Sequence, residues 1–548
     1  MNVTSASYPL SERLCDLELR VRELRATADL WNVLSGFERL DRLEETRKEG
    51  IIQFFGQDGD ESALLANNEV AAKRLNGIRS QLQAAALQLN EQISSIDSDV
   101  NRAQSQIKVG DLNGAFRCLA GAENVVLVAK LVRDRCNGLI AQRLGEQTRN
   151  ALALLDLMTL EVYGVITENL RGEGSQEITT LPPVSYCNSL PGDQRPMVQP
   201  AAVEELLPFP TIRVESSLMS WEWNAVRAYV DLSRRLYAEL YLDPEIRIIF
   251  GQALSAQRVS FSAHSIMLQA RQEIISQMLA VIIGGPAVVA ASMENDFRPG
   301  ELIMQEGNWG QLPPYISWMA QCSALKALGF ATEAVEKLSL IMSLYGPPQY
   351  VARPSARFTP LLECLPVFDI LAETLLRTPF SMLQGIRIDE VLPVYDQKVH
   401  QQAARVAEDV INRAGLSRVV EEQENSRPSI KTAQTTASPQ EAHNGRPQRK
   451  RRGQAASSSE TAATETPEIA PVVCALRFAF ERASVVPGKG SELLKSARTL
   501  INETSEAFYR SVAAKRFAKE VTVDDVRRMR RRVQSPFVPR FIHEGAAD

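Results

Sequence analysis

From Ala71 to Ile107 an apolar residue returns at every third or fourth position, through Ala71, Leu75, Ile78, Leu82, Ala85, Leu89, Ile93, Ile96, Val100, Ala103 and Ile107. The steps run 4-3-4-3-4-4-3-4-3-4, which are heptads with one phase slip near Leu89. A helix that confines its apolar groups to so narrow a stripe suits another helix laid alongside, since a broad globular core would ask for a wider face. The slip has the form of a stutter, where a supercoil locally unwinds. The same alternation runs earlier through Leu14, Leu17, Val21, Leu24, Ala28 and Trp31. Gly110-Asp111 ends the long helix. Three shorter helices with wider apolar faces are expected over 112–121, 124–143 and 145–170, folding back on the first. Residues 10–170 therefore read as a coiled-coil or helical-hairpin arm. Its seam is Leu75, Ile78, Leu82, Leu89, Ile93, Ile96, Val100 and Ile107. So slim a seam is expected to be completed by a partner, making the molecule a homo- or hetero-oligomer.

Past the arm the pattern changes. Residues 171–215 hold Pro182, Pro183, Pro191, Pro196, Pro200, Pro208 and Pro210, a density that forbids helix and favours a linker or a strap laid over a surface. Residues 216–418 return to globular helical patterning, with helices expected at 217–241, 244–257, 260–283, 314–329, 331–345, 360–377 and 389–414. Trp221, Trp223, Trp309 and Trp318 fall here, which places the largest core here too. Extended pieces are expected only around 209–214 and 300–305. The run Leu279–Ala291 is strongly apolar but short and broken at Gly284, Gly285 and Pro286, so it reads as a buried core helix ending in a turn. A bilayer span needs ~20 residues.

Residues 419–467 are poor in apolar groups and rich in Ser, Thr, Ala, Gln and Pro, a composition that cannot offset its ordering entropy and is expected to stay disordered. Within it lie Arg446, Arg449, Lys450, Arg451 and Arg452, an import-like basic cluster. Residues 468–541 read as a small C-terminal three-helix domain: a medium helix over 470–484, a long one over 491–518, and a short one that Thr522 caps. Lys515, Arg516, Lys519, Arg527, Arg528, Arg530, Arg531 and Arg532 make its basic patch, suited equally to nucleic-acid phosphates or to an acidic partner.

The medium–long–short helix order, the stretch Lys519-Glu520-Val521-Thr522-Val523-Asp524-Asp525-Val526 and the opening Ile469-Ala470-Pro471-Val472 together resemble a histone fold. The first loop, with Pro487, Gly488 and Gly490, is a few residues longer than that pattern has. The resemblance implies obligate pairing with a second chain through Phe478, Phe480, Leu493, Leu494, Leu500, Ile501, Phe508, Val512 and Phe517. In an ordinary bundle the same residues would be internal core.

Chemistry-bearing patterns are sparse. The seven cysteines are scattered, with no C-x-x-C pair, and the four histidines are isolated. Gly488-Lys489-Gly490-Ser491 lacks the order of a phosphate-binding loop. Gly110–Ala115 and Gly329–Ala334 resemble helical-repeat turns, with no 34-residue period to join them. No cofactor or metal is expected, and no catalytic residue is assigned. Neither a signal peptide nor a membrane span is expected, which points to an intracellular location. The net charge of −5 argues against wholesale wrapping of nucleic acid while leaving a local contact open. The expectation is thus a mainly α, non-enzymatic scaffold subunit of a multi-protein assembly in the nucleus, of a chromatin, kinetochore or transcription kind. A viral capsid-associated or nucleocapsid protein that contacts nucleic acid through its basic tail is the alternative, and a membrane-tethering subunit ranks third.

Overall fold

The computed structural model describes residues 3–55, 69–145, 148–170, 181–187, 207–214, 222–296, 314–345, 359–426, 468–484 and 488–511, together with Thr522 and Val526. The import-like cluster and the basic tail patch lie outside the described residues. The fold is mainly α.

The front of the chain forms α1 (Val3–Leu34), α2 (Glu45–Phe55), α3 (Arg79–Lys108) and α4 (Leu112–Leu144). Gly110, at φ +81, makes the tight corner between α3 and α4. The Asp111 side chain caps α4 by accepting from the Gly114 amide at 2.9 Å. The α3–α4 hairpin receives α1 along its length, giving one core of Leu17, Leu24, Ala28 and Trp31 with Leu82, Leu89 and Ile96, and with Leu119, Val126 and Val132. On α4 the facing residues include Ala115, Ala122 and Ala129, small enough to let the helix axes come close. Leu75, Ile78, Leu82, Leu89, Ile93, Ile96 and Val100 are all buried, and Ile107 is half-buried. The expectation that the seam waits for an outside helix is therefore corrected: helices of the same chain fill it. The expected break near Gly121 is also absent, because one glycine costs a helix only about 1 kcal/mol and the packing on either side exceeds that.

A strap then joins two cores. Strand β1 (Val184–Cys187) pairs in parallel with β2 (Thr211–Val214), Val184 opposite Thr211 and Cys187 opposite Val214. Val184 and Tyr186 enter the bundle core, whereas Cys187, Ile212 and Val214 enter the core of the body. The Arg135 guanidinium lies 3.7 Å over the Tyr186 ring and fixes the strap on α4. Between bundle and body runs α5 (Arg149–Asn169).

The body contains a 3-10 turn (Glu222–Ala228), α6 (Tyr229–Glu239), α7 (Asp243–Ala256), α8 (Phe261–Gly284), α9 (Pro286–Asp296), α10 (Pro314–Ala327), α11 (Ala331–Tyr345), α12 (Leu365–Arg377), a two-stranded corner of β3 (Pro379–Phe380) and β4 (Ile386–Arg387), α13 (Ile388–Val391), α14 (Gln397–Arg413) and α15 (Ser417–Ser426). α5 and α8 are long and apolar enough to cross a membrane by length and composition, but most of each apolar stretch is buried inside the protein. The turn expected at Gly284-Gly285-Pro286 is present, and a further helix, α9, follows it. Gly285 sits at φ +61 and ψ −154, where only glycine is at ease. A Cβ there would meet the Tyr395 ring at 2.3 Å, and the Tyr395 amide donates to the Ile282 carbonyl at 2.8 Å.

Two C-terminal helices complete the body, α16 (Ala470–Ala483) and α17 (Gly490–Arg510). α16 runs through the body core, burying Val472, Val473, Cys474, Ala475, Leu476 and Ala479, chiefly against α14. α17 lies over α5 and α14 through Leu493, Ala497, Leu500, Ile501 and Phe508. These helices are thus built into the body and do not form a separate three-helix domain. The surface that a histone-like pairing would need is occupied: Leu493, Leu500, Ile501 and Phe508 are buried, and Phe478, Phe480 and Leu494 pack against the same core. Val512 and Phe517 lie outside the described residues. Val526, whose amide donates to the Thr522 carbonyl at 3.1 Å, is buried against the N-terminal bundle.

Candidate functional site

A set of buried ionisable groups lies where the C-terminal helices meet α5 and the 3-10 turn. Between Arg149 and Glu168, the only charged residues of α5 are Asp156 and Glu161, and each is engaged.

Asp156 faces Arg143 of α4. The guanidinium donates to both carboxylate oxygens, at 2.8 and 2.7 Å, and also to the Ser185 and Leu139 carbonyls at 2.9 and 3.1 Å. Both side chains are nearly inaccessible, at 1% and 4% exposure. Burial raises the Asp156 carboxyl above the ordinary range, and Arg143 works against that shift. Gly77 closes the other side, since a Cβ on it would meet Asp156 at 2.7 Å and the Tyr509 hydroxyl of α17 at 2.9 Å. One ion pair thus ties together α4, α5 and the strap, with Tyr509 of α17 close by.

Glu161, one and a half turns on, has a different partner. Its two oxygens accept the backbone amides of Ile469 and Ala470, at 2.5 and 2.9 Å, at the start of α16. An anion is favourable at a helix N-terminus, where amides lack intrahelical acceptors. Removal from water opposes this and dominates, raising the carboxyl to about 7, with Glu468 adding repulsion. Further into α16 the Cys474 thiol donates to the Gly284 carbonyl at 3.2 Å, near the buried Tyr229 hydroxyl, which has no hydrogen-bond partner among the described residues.

A third contact centres on Arg477 of α16. It donates to Asn224 at 2.9 Å, pairs with Glu294 of α9, and lies over the Phe480 ring, which is itself stacked with Trp223 at a centroid distance of 4.6 Å. Arg498 of α17 holds the buried Glu222 at 2.8 Å. His400 donates to or accepts from the Tyr395 hydroxyl at 3.1 Å and meets the Phe330 and Phe478 rings.

This arrangement holds helices in place. The thiols of Cys136, Cys322 and Cys364 are pushed up to about 12 by burial, and that of Cys474 higher still, so these cysteines stay protonated at neutral pH and are poor nucleophiles. Among the described residues, no three His, Cys, Asp or Glu side chains converge with metal-binding geometry. None of Arg143, Asp156, Glu161 or Arg477 belongs to the residues the sequence singled out. The available signal was an isolated charge inside an apolar helical run: Asp156 and Glu161 in α5, and Arg477 within Ala470–Phe480. Compared with known proteins, the chain matches no family model, no curated protein and no solved structure.

Proposed function

We propose that this chain is a non-enzymatic structural subunit of a larger assembly in the nucleus, recognised through the basic cluster of Arg446, Arg449, Lys450, Arg451 and Arg452, which falls in sequence between two segments that share one core. The supporting observation is the return of the chain to its own body. Leu416 and Val420, ahead of that stretch of sequence and in α15, are buried in the same core as Ile469 and Val472 after it. A basic run of this composition suits an acidic groove. Its attachment to a helical body then lets a second contact on that body act at high effective concentration. The non-enzymatic part of the reading rests on the buried charges, which are engaged in holding helices to one another.

The test is localisation of the full chain, carrying a fluorescent tag, with Arg449, Lys450, Arg451 and Arg452 all replaced by alanine. Loss of nuclear accumulation is expected, because the positive charge is the recognition element. Unchanged accumulation removes the cluster as its cause. Light scattering on the purified protein addresses the assembly side: a monomer or small defined oligomer agrees with a subunit role. A closed shell or filament would favour the capsid-associated alternative.

A further inference from the structure

The helix α4 carries a second heptad stripe on the side away from its own core. Arg117, Ala120, Asn124, Leu127, Leu131 and Asp134 follow one another at steps of 3-4-3-4-3. The residues that fill the bundle core, among them Ala115, Leu119, Ala122, Val126 and Ala129, are a different set. On the outer stripe Arg117, Asn124, Leu127 and Asp134 are exposed, Leu127 at 60%, and Ala120 and Leu131 are half-buried. Leucines exposed singly are ordinary on a protein surface. Leucines at heptad spacing, closed off by an arginine at one end and an aspartate at the other, have the form of a short coiled-coil seam.

The stripe answers itself when reversed. With Arg117 laid opposite Asp134 of a second, antiparallel copy, Ala120 falls opposite Leu131, small against large, and Asn124 opposite Leu127. A lone asparagine in such a seam costs some stability and fixes the register. Glu123 and Lys130, which share the heptad position flanking the seam, then face each other across the pair, acid to base. A shift of one heptad in either direction sets Lys130 against Lys130 or Glu123 against Glu123. A parallel arrangement in register sets Arg117 against Arg117. Within one copy Asp134 touches its neighbour Arg133 at 3.0 Å, and Glu123 reaches Arg13 of α1 at 3.4 Å. Both carboxylates are partly exposed, so a second cation can reach each of them.

We propose that two copies of this protein pair through the outer face of α4, antiparallel, about a twofold axis that passes between Asn124 and Leu127. Such an interface is isologous, so each contact is made twice. The occupant is a second copy because both the charges and the side-chain sizes of the face complement their own reversal. From Arg117 to Asp134 the helix runs about 26 Å. That is a small contact, so a dimer that dissociates at micromolar concentration is expected. The pairing goes beyond the subunit role proposed above and does not depend on what the basic cluster binds: localisation reads the one and oligomeric state the other.

Sedimentation velocity of the full chain over a micromolar concentration series reads the pairing. Arg117→Glu sets an acid against Asp134 at both ends of a like pair, and Asp134→Arg sets an arginine against Arg117. Each change alone is expected to weaken self-association about tenfold or more. Mixed in equal amounts, the two variants restore every attraction in a dimer that holds one of each. Dimer is therefore expected to return in the mixture, with the mixed mass seen by native mass spectrometry. Both positions are exposed, so the fold is expected to survive either change. A wild-type protein that stays monomeric throughout the series overturns the proposal. So does a dimer indifferent to both single changes, or a mixture of the two variants that remains monomeric.

Discussion

Replacing Arg143 with alanine takes four donated hydrogen bonds from one buried guanidinium and leaves Asp156 ionisable, enclosed and without a cation. Breaking a buried pair from one side typically costs about 3–5 kcal/mol, most of it the penalty of the stranded charge. With exposures of 1% and 4%, solvent offers little relief here, so the full range applies. The double variant Arg143→Leu with Asp156→Leu removes both charges and puts apolar volume in their place. It is expected to recover about 2 kcal/mol or more, with the Ser185 carbonyl, left without its donor, accounting for a residual of about 1–3 kcal/mol. Urea unfolding of the full chain, followed by far-ultraviolet circular dichroism, measures both. The single variant should also improve as pH falls. Without Arg143 the Asp156 carboxyl is raised further by burial, so its proton stabilises the folded state below the ordinary carboxylate range and this help is lost as pH rises. A single-variant cost below about 1 kcal/mol, or a double variant no better than the single, would refute the view that this pair clamps the bundle to the body.

Two further outcomes follow from the packing. Ile96→Ala, in the middle of the seam, should cost about 2–5 kcal/mol while the particle mass by light scattering stays the same, since the neighbours of Ile96 belong to its own chain. A fall in mass would mean that the seam joins separate molecules. Gly285→Ala should lower the thermal midpoint strongly: its backbone region alone costs about 1–3 kcal/mol for a residue with a side chain, and the new methyl also displaces the buried Tyr395 ring. A midpoint equal to that of wild type would show that this corner can relax.

The helices were legible where their apolar spacing was regular. The stripes through Leu17–Trp31 and Leu75–Val100 can be read directly, and their burial follows them residue by residue. What completes the seam was much harder to read, because α4 answers with Ala115, Ala122, Ala129 and Cys136, small side chains that leave a faint pattern. The first C-terminal helix is legible nearly to the residue and the second at its start, though it ends at Arg510 and not near 518; their place in the fold is not legible. A stretch of more than forty residues separates α15 from α16, and nothing in local periodicity says across what distance an apolar face will pack. The continuous run from Pro471 to Leu476 was the one hint, since a helix apolar on every side belongs inside a core. The ionisable site was invisible to motif reading for the same reason. Its members come from α4, α5 and α16, and only the fold brings them together.

The deep seating of α16 and α17 has a consequence for a severed chain. A protease that cuts once between residues 427 and 467 would produce two polypeptides. The smaller would still have its first helix threaded through the larger one's interior, with Arg477 and Arg498 gripping Glu294 and Glu222 across the gap. Such a nicked molecule should migrate as one particle in native buffer and come apart only in denaturant.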